Sequence, residues 1–246
     1  MKIKKILLSF HVANAIFQVL LFPAMPVTIR KYLIKLWSTL LLKILCIKVV
    51  ARGNLEFFRS EKSFLLVSNH ISWLDIHVIN AIRPVVFVAK ADVSRWPIFG
   101  HLAKFLGTIF LNREKLSDIK RVIHLMKQQM VSENVVAVFP EGTSSDGQTI
   151  LPFKSNLFQA AIDAERPVLP IKISYLEKGS YTQRTAFIGD MTLVESIKNI
   201  LSSNFIEVEI DIFEPFQDPM SSRREISDRA YGTIKSKFHS LSSVKE

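Results

Sequence analysis

"SFLLVSNHISWLDI" (Ser63–Ile76) decides how the rest of the chain is read. Ser63–Val67 has the apolar pattern of a strand buried on both faces, and helical spacing takes over at Ser72–Ile82. A buried strand that passes through a short turn into a helix is the opening of a βαβ unit. His70 falls at the strand exit and Asp75 in the first turn of the helix. From there the helix can return the carboxylate towards the imidazole. A carboxylate on one ring nitrogen fixes the tautomer and leaves the other free to take a proton. A purely structural explanation also exists: a packed histidine, with an aspartate that favours the helix dipole. Asn69 is placed to hold the turn and Trp73 to wall one side of it.

Working outward, short apolar runs alternate with helical patterns. Strands are expected at Ile47–Ala51, Pro84–Ala89, Thr108–Leu111, Val135–Phe139, Pro167–Ser174 and, more briefly, Ala186–Ile188. Arg52-Gly53-Asn54 reads as a turn. Phe205–Phe213 alternates strictly, which indicates a strand with one buried face near a sheet edge. Helices are expected at Trp96–Leu106 with Pro97 at its start, at Lys115–Met130, Lys154–Ala164 and Leu193–Ser202, and after the capping box Ser222–Glu225. The fold class is therefore α/β, a mixed and mainly parallel sheet flanked by helices. Ligands in such folds gather where strands end and helices begin.

The 246 residues suffice for one large domain with a small appendage, and 48% apolar content allows a substantial core. A net charge of +10 favours anionic partners such as lipid surfaces and phosphorylated molecules. No zinc-finger spacing, RNP-like stretch or long Lys/Arg block points to nucleic acid. Cys46 is the single cysteine, so an internal disulfide is excluded. After MKIKK, an uncharged stretch from Ile6 to Ile29 is broken by Pro23 and Pro26, and a second apolar run follows Arg30, Lys31 and Lys35. Two helices lying in the membrane interface with lysines at the headgroups fit this pattern best. A span and a cleaved signal peptide are the other readings, the latter lacking a small-x-small cleavage site. Residues 1–45 are thus expected to dock on the membrane and 46–246 to form the α/β domain, on the cytoplasmic face of the inner membrane.

Further chemistry lies at other strand ends. FPEGTSSDG (Phe139–Gly147) leaves a buried strand, breaks at Pro140 and turns at Gly142; its backbone N–H groups, with Thr143 and Ser144, can cup an anion. Glu141 is acidic in that setting and is expected to bond a hydroxyl or hold the loop. GTIFLNR (Gly107–Arg113) closes a strand on an arginine suited to a phosphate, and Lys90 ends PVVFVAK in the same way. No G-x-S-x-G and no P-loop occurs. His77 follows His70 by seven residues, with no third ligand placed for a metal. His101 and His124 read as structural or exposed.

These blocks, in this order, resemble the glycerophospholipid acyltransferase family, bacterial lysophosphatidic acid acyltransferases in particular. NHISWLD looks like the family's N-H-x-x-x-x-D block, GTIFLNR its arginine-ended strand, FPEGTSS its third block, and VLPIKI (Val168–Ile173) its proline-centred fourth. The resemblance implies that His70 and Asp75 are the catalytic dyad. It implies that Arg113, Glu141, Gly142 and Thr143 hold the acceptor head group, with Lys90 a phosphate contact and Pro170 shaping the acyl region. The donor would be acyl-CoA or acyl carrier protein, the acceptor a lyso-lipid, with membrane lipids as partners and no cofactor or metal. Asn112 stands where many relatives carry Asp. TSSDG, LPFKS and FIGDMTL (Phe187–Leu193) look like a branch that includes lyso-ornithine lipid O-acyltransferases. Lysophosphatidic acid is the leading acceptor, with lyso-ornithine lipid or another lysophospholipid as alternatives; a catalytically inactive lipid-binding protein is the reading of another class, against which His70 and Asp75 argue.

Overall fold

A computed structural model describes residues 2–96, 99–112, 115–217 and 222–239 of the chain. The N-terminus forms α1 (Lys2–Leu21) and α2 (Val27–Ile44), joined by a 3-10 turn at Phe22–Ala24. Pro23 sits inside that turn and Pro26 precedes α2, so the helices separate where a missing N–H forbids continuation. There follow β1 (Ile47–Gly53), α3 (Leu55–Ser60), β2 (Leu65–Ser68), α4 (Leu74–Ile82), β3 (Val86–Lys90), α5 (Phe99–Phe105), β4 (Ile109–Leu111), α6 (Leu116–Val131) and β5 (Val136–Val138). The second half supplies α7 (Gln159–Ala164), β6 (Val168–Glu177), β7 (Ser180–Tyr181), α8 (Leu193–Leu201), β8 (Ile206–Ile212) and α9 (Arg223–His239).

The sheet order is β1-β8-β6-β2-β5-β3-β4, with β7 beside β6. From β6 to β4 every neighbour is parallel, whereas β8 runs antiparallel to β6 and parallel to β1. The sheet is therefore mixed and mainly parallel, flanked by helices. Strand period two sends alternate residues to opposite layers. Leu66, Leu169, Ile171 and Ile173 pack with Leu41, Leu42, Phe58, Val78 and Ile200, from α2, α3, α4 and α8. Leu65, Val67, Val136 and Val138 pack with Val122, Met126, Ala160, Ala161 and Ala230, from α6, α7 and α9. β2 is buried on both faces, as its unbroken apolar run requires. β8 shows strict in-out alternation and lies one place in from the β1 edge.

The structure differs from the sequence expectation in several places, among them the short strand β7 and a 3-10 turn at Ala91–Arg95. Arg52 and Gly53 stay in β1. Gly53 adopts φ +86, and a Cβ there would lie 2.0 Å from the Ile212 carbonyl oxygen, so glycine permits the close approach of β1 to β8. Asn54 then caps the unexpected α3, its side chain accepting from the Phe57 N–H at 3.1 Å. The helix expected over Lys154–Ala164 opens as a 3-10 turn, Ser155–Phe158, and becomes α-helical only at Gln159. Ala186–Ile188 is not a strand. Its backbone serves another segment, the Phe187 N–H donating to the Ile71 carbonyl at 2.9 Å. The expected helix start at Pro97 lies outside the described residues.

Leu41, Leu42 and Leu45 of the α2 region are almost wholly buried in the main core. Leu41→Ala is expected to lower the unfolding free energy by about 2–5 kcal/mol through the cavity it leaves. A urea titration measures this, and a change within error would show that α2 packs loosely.

Candidate functional site

His70 leaves β2 and Asp75 occupies the first turn of α4, as their spacing suggests. His70 Nδ1 lies 2.8 Å from Asp75 Oδ2. The same oxygen accepts the Ile71 N–H at 2.8 Å and the Ser72 N–H at 3.0 Å, and Oδ1 accepts the Tyr175 hydroxyl at 2.7 Å. Four donors on a fully buried side chain describe an acceptor-only carboxylate. Nδ1 of His70 therefore carries the ring proton, and the Nε2 lone pair is left for chemistry. Among the described residues no hydrogen bond is made to Nε2, and the side chain remains 22% exposed. The imidazole stacks on Phe139, with centroids 4.1 Å apart and planes within 17°. Phe139 stacks in turn on Phe87.

The turn is held from all sides. Asn69 is fully buried and bridges to β6, its amide donating to the Ile173 carbonyl at 3.0 Å and its oxygen accepting the Ile173 N–H at 2.8 Å. The His70 N–H donates to Glu141 Oε1 at 2.7 Å, while Glu141 Oε2 accepts the Leu151 N–H at 2.8 Å. The Ser145 N–H donates to the His70 carbonyl at 2.8 Å. Ser144 Oγ donates to the Phe187 carbonyl. Gly147, at φ +82, lies against Ile71; a Cβ there would come within 2.9 Å of Ile71 Cδ1. The FPEGTSSDG loop after β5 thus braces the histidine turn, and Glu141 is the brace at its centre.

Burial pushes the Glu141 carboxyl up from the ordinary 4.5 to about 7, against the pull of the two backbone N–H groups. Burial also raises Tyr175 well above the usual phenol value, with Asp75 adding to it, so Tyr175 remains a donor. The other expected contacts are more dispersed. Gly142, at φ +80, donates its N–H to the Phe139 carbonyl at 3.1 Å, and Thr143 is exposed beside it. Lys90, at the end of β3, is paired at 2.5 Å with Asp92, both well exposed. Pro170 lies in β6 opposite Val67 of β2, behind the turn. Arg113 lies outside the described residues. Tyr175 is the functional residue that sequence reading missed. It is 100 positions from Asp75, in a run that reads only as buried strand.

Two hollows flank this centre. One, at the ends of β3, β4 and β5, is lined by Val88, Leu111, Phe139, Gly142, Lys154 and Asn156. The other is apolar and lies among α1, α2, α4, β3 and α5, lined in part by Phe22, Ile34, Trp37, Trp73, Phe87 and Trp96. All three tryptophans of the chain line it. No group of three or more His, Cys, Asp or Glu able to hold a metal occurs among the described residues.

A braced His–Asp pair thus lies at the carboxyl ends of parallel strands, near an apolar cavity. The chain belongs to the Acyltransferase family, whose model matches residues 49–174. It is 34% identical to a lyso-ornithine lipid O-acyltransferase from Rhizobium meliloti, over 80% of this chain and 72% of the relative. It is 30% identical to one from Pseudomonas aeruginosa, over 87% and 81%. It is also 35% identical to a 1-acyl-sn-glycerol-3-phosphate acyltransferase from Neisseria gonorrhoeae, over 60% and 58%. The fold matches the crystal structure of the 1-acyl-sn-glycerophosphate acyltransferase PlsC from Thermotoga maritima. The TM-score is 0.69 at 22% identity, covering 99% of this chain and 95% of that one.

The Glu141 shift has a stability consequence with a definite sign. The folded chain holds this proton up to about pH 7 and the unfolded chain only to about 4.5. Ionising it in place is unfavourable, so its contribution to stability falls as pH rises through that window. The urea midpoint of Glu141→Gln, measured across the same pH range, should lack this part of the slope. Parallel profiles for wild type and variant would remove the assignment.

Proposed function

We propose that the chain transfers a fatty acyl group from an acyl thioester to the hydroxyl of a lyso-lipid, with His70 as general base. The observation that carries this is the Nδ1-bound carboxylate, which leaves Nε2 of His70 unspent at a partly open position. Nε2 takes the proton as the lyso-lipid oxygen attacks the thioester carbonyl. The tetrahedral intermediate collapses, the carbon–sulfur bond breaks, and the imidazolium returns a proton to the leaving thiolate. Asp75 and Tyr175 hold the imidazole in register throughout. Glu141 positions the histidine backbone, Gly142 edges the strand-end hollow that would face the acceptor, and Thr143 is exposed next to it in sequence. Arg113 and Lys90 are read, from the family resemblance, as contacts to its head group.

The donor in this reading is acyl-CoA or acyl carrier protein, whose anionic character suits a +10 chain. The acceptor is 1-acyl-glycerol-3-phosphate or lyso-ornithine lipid. The second is favoured by one observation: the two relatives matched over 72% and 81% of their length carry that name. An assay with labelled acyl-CoA and acyl carrier protein against both acceptors decides between them. His70→Ala is expected to lower transfer by about 10²–10⁴-fold, the usual contribution of a positioned base, with its circular dichroism unchanged. Turnover near wild type would sink the dyad.

We also read α1 and α2 as the membrane-docking element. No helix among the described residues is long and apolar enough to cross a bilayer. Yet Ile3, Phe10, Phe17 and Leu20 of α1 and Tyr32 of α2 are each more than 60% exposed, with Lys2, Lys4, Lys5, Arg30, Lys31 and Lys35 nearby in sequence. Apolar side chains beside cations suit an anionic lipid interface. The double variant Phe10→Ser with Leu20→Ser should reduce co-sedimentation with phosphatidylglycerol vesicles about tenfold, since two apolar anchors are lost. Undiminished sedimentation would place the contact elsewhere.

A further inference from the structure

The apolar cavity carries one polar spot. Ser38 of α2 and His77 and Asn80 of α4 all line it. His77 and Asn80 are three residues apart and so share one helix face, which meets α2. Their hydrogen-bonding capacity is largely unspent. Ser38 is buried and, among the described residues, its Oγ meets only His77 Nδ1, at a long 3.4 Å. His77 Nε2 has no partner among the described residues. Asn80 is 4% exposed; its Oδ1 accepts the Val85 N–H at 3.2 Å, while its Nδ2 donates to nothing among the described residues. Ligand pockets are mostly apolar with a few placed polar groups that fix orientation, so three polar side chains together on one wall of this cavity mark the spot where a ligand's polar atom bonds.

The protonation state narrows what that atom is. Burial, with His11 nearby, pushes His77 down to about 3, so it is a neutral imidazole at physiological pH. Trp37 packs between His11 and His77, with centroid separations of 4.4 Å and 5.2 Å, and fixes the ring in the wall. If Nδ1 is protonated towards Ser38, Nε2 accepts; if the Ser38 hydroxyl donates to Nδ1, Nε2–H donates. Asn80 Nδ2 only donates. A hydroxyl both donates and accepts, so it satisfies either tautomer together with the amide. A carbonyl satisfies one, and a methylene chain neither.

We propose that Ser38, His77 and Asn80 form a hydroxyl-reading station, and that the fatty chain held in this cavity bears a hydroxyl along its length. This rests on the acyl-transfer reading above and adds a substrate class to it. The chain belongs to the acyl donor or to the acceptor's own lipid tail; both offer the same group to the same wall.

Trp37, Trp73 and Trp96 make intrinsic fluorescence a direct probe of the cavity, independent of turnover. Stearate and a set of regioisomeric hydroxystearates are titrated into the full chain. At least one hydroxystearate should bind about tenfold more tightly than stearate, a step of one decade in Kd. His77→Phe should bring that ratio to one or below, and Ser38→Ala should reduce it. Stearate binding as tightly as every hydroxystearate, or a ratio that neither variant moves, overturns the proposal. Two kinetic arms separate the sources. A hydroxyacyl-CoA is offered with a plain acceptor, and a plain acyl-CoA with an acceptor whose tail is hydroxylated. The arm in which kcat/KM shows a preference sensitive to His77→Phe names the bearer; a preference in neither arm overturns the proposal. Absence of transfer from every donor would instead fell the acyl-transfer reading and leave the fluorescence ratio to judge the station.

Discussion

A single buried carboxylate oxygen organises this molecule. Asp75 Oδ2 accepts from the His70 ring and from the Ile71 and Ser72 N–H groups of the turn that leads into α4. A fully buried carboxylate is tolerable only when every lone pair it presents is met, because the cost of leaving it unpaired is the cost of an isolated charge in the protein interior. The turn, the helix start and the imidazole are therefore one structure. None can shift without stripping donors from that oxygen. Tyr175 completes the set from β6, and Asn69 and Glu141 tie the flanking backbone to β6 and to the loop after β5. The rest of the sheet exists, in this respect, to bring three strand ends to one place.

What was legible beforehand follows from range. The dyad spans five residues and is set by the local passage from strand to helix, so spacing exposes it. The apolar strands are legible for the same reason, since each records its own burial. The bracing role of Glu141 was half visible, as an acid out of place in a turn otherwise suited to anions. Tyr175 was invisible because a strand interior writes the same apolar text whether or not one hydroxyl reaches a carboxylate. Ala186–Ile188 misled because apolar residues that cover a site look like apolar residues in a short strand. His77 misled in another way. It was weighed as a metal ligand and set aside, whereas its meaning depends on a cavity that appears only when α2 packs on α4.

The N-terminal helices have two faces with opposite tasks. The inner side of α2 joins the core through Leu41 and Leu42. The outer side of α1 leaves large apolar residues uncovered. Between them lies the cavity, so the element we propose to meet a lipid surface is also a wall of the space that would receive a chain from it. The path from that space to His70 is aromatic: Phe87 lines the cavity, stacks on Phe139, and Phe139 stacks on the imidazole. These rings lie between the mainly apolar cavity and the imidazole, with no charged group among them.

The hundred-residue separation of Asp75 and Tyr175 also places the site in time. During synthesis His70 and Asp75 emerge long before β6, and closing so long a loop must await the strand that supplies Tyr175 and the partner of Asn69. An incomplete chain holds the dyad residues without the bonds that orient them. The bonds that fix the imidazole thus arrive only with the central sheet, so the order of synthesis sets the order in which the site can assemble.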